Sequence, residues 1–189
     1  MHRKAFTLIE LLIVVAIIAI LAAIAIPNFL EAQTRAKVSR VKGDLRALRI
    51  SLESYAVDNN HYPDTESTIW HPTLQDVPAI TTPIAYLSGI PAEPFVLRDA
   101  RFYYDPELTD HGKNYRYYNT QRWTSIYPEI DQQGLKWYLM SNGPDLIIDI
   151  NDEVSAQDTL SGKNYMYYDP TNGTISRGDI IVNNVKNAP

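Results

Sequence analysis

FTLIELLIVVAIIAILAAIAI, Phe6–Ile26, is the stretch on which the fold turns. It holds 21 residues, and Thr7 and Glu10 are its only polar members. Coiled as a helix it spans about 31 Å, close to the hydrocarbon thickness of a bilayer. Arg3 and Lys4 stand just before it. Basic residues on that side predict a cytoplasmic N-terminus, with the remainder of the chain beyond the membrane.

Three readings compete for this segment. A secretory signal peptide has the same basic start and apolar run, and Ala23-Ile24-Ala25 offers a small-x-small cleavage site. A plain signal anchor is the second, and a prepilin is the third. Glu10 separates them. A carboxylate placed in hydrocarbon is costly, and the first two readings give it nothing in return. Helical patterning also runs on past Ile26, as though the apolar run were the first half of a longer element.

Pro27 interrupts the run without having to end it. Proline removes one helix hydrogen bond and crowds the preceding turn, so a kink is expected there. From Val38 the apolar positions are Val38, Val41, Leu45, Leu48, Leu52 and Tyr55, spaced 3, 4, 3, 4, 3. That spacing is one stripe on one helix face. Lys37, Arg40, Lys42, Arg46 and Arg49 lie between and predict a solvated basic face. The stripe is expected to pack on a sheet rather than form a free coiled coil, because three heptads are marginal alone. Gly43 costs up to about 1 kcal/mol inside a helix. Asn59-Asn60 and Pro63 predict a stop between Asp58 and His61. A helix from Phe6 to Asp58 would be about 80 Å long. No small domain buries that, so its first half requires a membrane or other copies of itself.

Beyond residue 60 the composition changes. Twelve of thirteen Tyr and eleven of twelve Pro lie there, which marks the passage from a helical arm to a head rich in strands and loops. Residues 61–189 carry nine Lys/Arg against seventeen Asp/Glu, a net of -8. Such a head repels phosphate backbones, so nucleic-acid binding is disfavoured. Eight prolines between Pro63 and Pro128 predict a loop-rich stretch, with short strands near Arg101–Asp105 and Asn114–Asn119. Leu135–Ser141 and Asp145–Ile150 read as strands around the Asn142-Gly143-Pro144 turn. Lys163–Asp169 and Thr174–Val182 flank Asp169-Pro170-Thr171-Asn172-Gly173 and predict a hairpin.

Lys4-Ala5-Phe6-Thr7-Leu8-Ile9-Glu10-Leu11-Leu12 resembles the processing signal of type IV prepilins and type II secretion pseudopilins. Ala25-Ile26-Pro27-Asn28-Phe29 resembles the same family where its helix bends. The likeness covers roughly residues 3 to 60. In the head, Trp137–Asp145 and the Asp169–Gly173 turn are similar to the distal sheet of major pseudopilins. The resemblance implies cleavage between Ala5 and Phe6 by a prepilin peptidase, and N-methylation of Phe6. The family usually carries Gly before the cut, where this chain has Ala5. It also implies a homopolymer of like subunits, minor pseudopilins as partners and an assembly platform in the bacterial inner membrane. Glu10 matches the family's carboxylate. Its charge would be neutralised by a freed Phe6 amine, in its own chain or, better, in the next copy, which fixes the stagger between subunits. The alternative is a carboxylate reaching back to the membrane interface.

Catalytic chemistry finds little support. Cys is absent, so disulfides and thiolate metal sites are excluded. His2, His61, His71 and His111 lack zinc spacing. There is no Gly-x-Ser-x-Gly elbow and no phosphate-cradling loop. One acidic cluster remains: Asp145, Asp149, Asn151, Asp152, Glu153 and Asp158 lie within fourteen residues. Hard oxygen donors at that density suit Ca²⁺, and the region resembles the calcium loop of major pseudopilins in placement and composition. It is no EF-hand, because Val154 and Leu160 stand where Gly and the bidentate Glu belong. The alternative is an ordinary solvated acidic loop.

The expected architecture is α+β, a pilin fold with a long N-terminal helix on a small antiparallel sheet. Residues 1–5 are the leader, 6–27 the membrane and assembly helix, 28–60 the amphipathic helix, and 61–189 the extracytoplasmic head. The expected function is structural, as a pseudopilus subunit. Runners-up are a type IV pilus subunit, a surface-binding module using the same anchor, and a membrane-anchored hydrolase.

Overall fold

The computed structural model describes residues 6–65, 74, 77–96, 114–123, 134–146, 167–169, 171, 176 and 178–185. Its dominant element is one helix, α1, Leu8–Asn59. Thr7 caps the start in extended conformation. At the far end Asn60 takes the left-handed region at φ 60° and returns its amide to the Ala56 carbonyl at 2.9 Å. Asparagine tolerates that conformation, which is why the Asn59-Asn60 pair stops the helix. Pro27 lies inside α1 and does not end it. Having no amide proton, it leaves the Ala23 carbonyl without its intrahelical donor.

Three short strands form the sheet: β1, Arg116–Asn119; β2, Trp137–Ser141; β3, Ile180–Asn183. The order is β1-β2-β3, with both pairings antiparallel. Leu139 is the hinge of the register, facing Tyr117 on one side and Val182 on the other. The stripe on α1 meets this sheet. Val38, Val41, Leu45, Leu48 and Leu52 are buried with Tyr117, Trp137, Leu139 and Ile180 in one cluster. Three polar bonds to α1 carboxylates surround this contact, two from the sheet side and one from the loop after α1. The Tyr115 hydroxyl donates to Asp44 Oδ2 at 2.8 Å, the Trp137 indole N–H to Glu53 Oε1 at 3.3 Å, and the Tyr62 hydroxyl to Glu53 Oε2 at 2.9 Å. The result is the expected α+β arrangement of a long apolar helix on a small antiparallel sheet.

The head differs from expectation in two places. Asp145 and Leu146 form a turn rather than the start of a strand. Leu146 has φ 59°, a left-handed conformation that no strand accommodates. The expected strand's remaining residues lie outside the described set, as does the whole of Arg101–Asp105. Of the expected hairpin around Asp169–Gly173, residues 163–166, 170, 172–175 and 177 lie outside the described residues; among those described, Tyr167 makes a parallel bridge to Asp179, and β3 begins at Ile180 and pairs with β2. Asp169 spends its carboxylate locally, accepting from the Thr171 amide at 2.8 Å and hydroxyl at 2.7 Å. Finally, the proline-rich stretch is more than loop. Val77, Ile80 and Phe95 join the core, and Ala92 bridges Asn114. Burial of apolar side chains recruits these residues, of which Ile80 ends the short 3-10 helix Pro78–Ile80.

Candidate functional site

The candidate functional surface is the first half of α1. Every large apolar residue from Phe6 to Leu30 is exposed, between 46% for Val14 and 77% for Leu8. Burying such a side chain is worth about 1.5–3 kcal/mol, so this arm stands far from its stable state in water. Among the described residues it is the one segment long and apolar enough to cross a membrane, and none of that window packs against the rest of the chain.

Glu10 is the charged residue of this surface, and its local geometry is specific. The Thr7 amide donates to Glu10 Oε2 at 2.9 Å and the Thr7 hydroxyl to the same oxygen at 2.7 Å. In return the Glu10 amide donates to Thr7 Oγ1 at 3.3 Å. This reciprocal capping box satisfies donors that a helix start leaves open. The Thr-x-x-Glu spacing was readable in the sequence, yet attention to the charge alone passes over it. Glu10 therefore has a helix-starting task within its own chain. Of the two residues at the expected cut, Phe6 is 71% exposed, and Ala5 lies outside the described residues.

Past Leu30 the helix turns from apolar to charged. Glu31 pairs with Arg35 one turn on, and Arg40 with Asp44 at 3.6 Å. Lys37 lies over the Phe95 ring, with its ammonium 5.8 Å from the centroid. The expected basic face thus flanks the line along which the head sits.

The acidic cluster is seen only at Asp145. Its Oδ2 accepts the Gly178 amide at 3.3 Å. Gly143 shares this junction, for a Cβ there would lie 2.5 Å from the Gly178 carbonyl oxygen. Asp145 thereby fastens the turn after β2 to the residue two before β3. Asp149, Asn151, Asp152, Glu153 and Asp158 lie outside the described residues. Asp145 alone makes no calcium site, and among the described residues no three His, Asp or Glu gather as metal ligands.

The buried phenols offer no catalytic group. Desolvation pushes Tyr115 and Tyr117 well above the ordinary phenol range, reinforced at Tyr115 by Glu93 and Asp44 and at Tyr117 by Asp64. Both hydroxyls serve as donors, to Asp44 and to the Pro63 carbonyl. His61 is exposed, with its Nδ1 3.0 Å from the Tyr62 carbonyl, and the other three histidines lie outside the described residues.

Known proteins align with this division of the chain. Residues 1–26 match the prokaryotic N-terminal methylation motif, and residues 28–120 match the family model of type II secretion system protein G. Type II secretion system core protein G of Pseudomonas aeruginosa is 36% identical over 98 residues, which is 50% of this chain and 69% of that protein. The Escherichia coli protein of the same name is 34% identical over 97 residues, 49% of this chain and 67% of that one. Type IV major pilin protein PilA of Myxococcus xanthus is 52% identical over 68 residues, covering 36% of this chain and 31% of the pilin. No solved structure matches. With a methylation motif over residues 1–26, the protein G model over residues 28–120 and two curated relatives matched over two thirds of their length, the chain belongs to the type II secretion system protein G family.

Proposed function

We propose that this chain is a structural subunit of a type II secretion pseudopilus, assembled by packing its apolar arm against the arms of other copies. The exposed face of α1 from Phe6 to Leu30 carries this reading. Before assembly the arm resides in the inner membrane as a single span, with residues 1–5 cytoplasmic and the head on the periplasmic side. A prepilin peptidase removes residues 1–5 by cutting between Ala5 and Phe6, and Phe6 is then N-methylated. The new amine lies about one helical turn from Glu10. Glu10 then has two tasks: it starts the helix through Thr7, and it offers a negative charge that the Phe6 amine of an arriving copy can neutralise. A charge that costs least beside a second subunit sets the axial stagger between them. Extraction into a filament is driven from the inner-membrane assembly platform, with minor pseudopilins as further partners.

A second reading, a type IV pilus subunit, has one observation in its favour: the 52% identity to the Myxococcus pilin over 68 residues. Deleting the gene separates the two. A pseudopilus subunit predicts that secreted enzymes accumulate in the periplasm while surface motility persists. Loss of motility with secretion intact would reverse the assignment. The mass of the mature chain, measured in the same strain, must begin at a methylated Phe6.

A further inference from the structure

Among the described residues, Glu93 and Asp179 are the two buried carboxylates that the assembly mechanism does not use, and Glu93 is the one set between α1 and the sheet. It sits in Pro91-Ala92-Glu93-Pro94-Phe95 and is 2% exposed. Its Oε1 accepts the Phe95 amide at 3.0 Å and the Ser141 hydroxyl at 2.9 Å. Its Oε2 is buried with no hydrogen-bond partner, and Glu93 has no ion-pair partner among the described residues. The segment around it touches every layer of the head. Phe95 enters the core beneath Lys37 of α1, its carbonyl accepts the Asn142 amide group at 3.0 Å just past β2, and Ala92 bridges Asn114 ahead of β1.

A carboxylate buried with one oxygen unserved is poorly suited to carry charge, whereas the neutral acid keeps both bonds at Oε1 and loses the desolvation penalty. We propose that Glu93 is a proton-operated clasp, which as the neutral acid holds Pro91–Phe95 in the junction between α1 and the sheet and on ionising loosens that segment. The surrounding charges are mixed. From α1, Asp44 opposes ionisation, though it is itself paired with Arg40 and receives the Tyr115 hydroxyl. Lys37 lies over the Phe95 ring, its ammonium 5.8 Å from the centroid. From β1, Arg116 favours the charge, and from β2 so does the Ser141 hydroxyl. Burial outweighs them and pushes Glu93 from 4.5 up to about 7. A raised value means that the folded chain holds this proton more tightly than the unfolded one. The advantage is full below 4.5 and is lost as pH climbs through about 7.

Amide exchange of the full chain in detergent micelles tests the clasp, read as the protection of peptides covering residues 91–96 and corrected for intrinsic exchange at each pH. Protection in the unsubstituted chain should fall by about 75-fold between about pH 5 and 8.5, the part of the roughly 300-fold full displacement that lies in that range. Glu93→Gln keeps the acceptor and stays neutral, so its protection should lack that fall. Asp44→Asn removes the opposing charge and should move the midpoint to lower pH. Parallel profiles for the unsubstituted chain and the Glu93→Gln variant would overturn the proposal. Should Glu93→Gln fail to fold, an unmoved midpoint in Asp44→Asn would overturn it equally.

Discussion

Leu48→Ala is the sharpest probe of how α1 carries its head. Leu48 is fully buried, flanked on the same face by Leu45 and Leu52 and set against the sheet in the same cluster as Leu139 and Trp137. Truncation removes about 1.5–3 kcal/mol of burial. The sheet is tied to α1 through Asp44 and Glu53 on either side of Leu48, so the space cannot close freely, and a total near ~3 kcal/mol follows from the range for such cavities. In a chain of 189 residues that lowers the melting temperature by about 6–12 °C. Ile50→Ala is the matched control. Ile50 lies two residues on, is 61% exposed, and should change stability by less than about 0.5 kcal/mol. Thermal melting of both variants in the same detergent, followed by tryptophan fluorescence, reads the contrast. Trp137 reports on the junction directly, with the Tyr62 ring 6.2 Å away and Glu53 on its indole nitrogen. If Leu48→Ala melts with the parent chain, or if Ile50→Ala is equally damaging, α1 does not hold the head through this stripe.

Three further outcomes follow from the same geometry. Glu10→Gln preserves a capping side chain but removes the charge, so it should be cleaved normally and yield no filaments, while Thr7→Val keeps the charge, disturbs the cap and should still assemble; immunoblots of sheared filaments distinguish them, and equal yields from both would refute a role for the charge. Gly43 lies in mid-helix, and a Cβ there would touch nothing within 4 Å, so Gly43→Ala should raise stability by about 0.5–1 kcal/mol in denaturant melts. Gly143→Ala should do the reverse by about 1–3 kcal/mol, because φ is 69° and the new carbon would meet the Gly178 carbonyl oxygen at 2.5 Å.

The arm was legible because its information is local. An unbroken apolar run from Phe6, a 3-4 spacing from Val38 to Leu52 and an Asn-Asn stop each act through neighbours in sequence, and α1 follows them to Asn59. The capping box at Thr7 and Glu10 was equally local, and was obscured only because a carboxylate in an apolar run invites a long-range explanation. Strand-prone residues around Tyr117 and Leu139 also announced themselves.

What the chain could not announce was partnership. β3 pairs with β2 some forty residues away, where Val182 reaches the cluster beneath Leu139. Pro91–Phe95 reads as loop, and its two prolines make it so; only the packed junction turns Glu93 into a dry carboxyl and Phe95 into core. Sequence by itself determined which segments are helical, which face is greasy and where the apolar arm lies, since side-chain spacing along one backbone decides those. Tertiary structure decided the pairing of strands and the ionisation of Glu93, since both depend on which distant residues exclude water from one another.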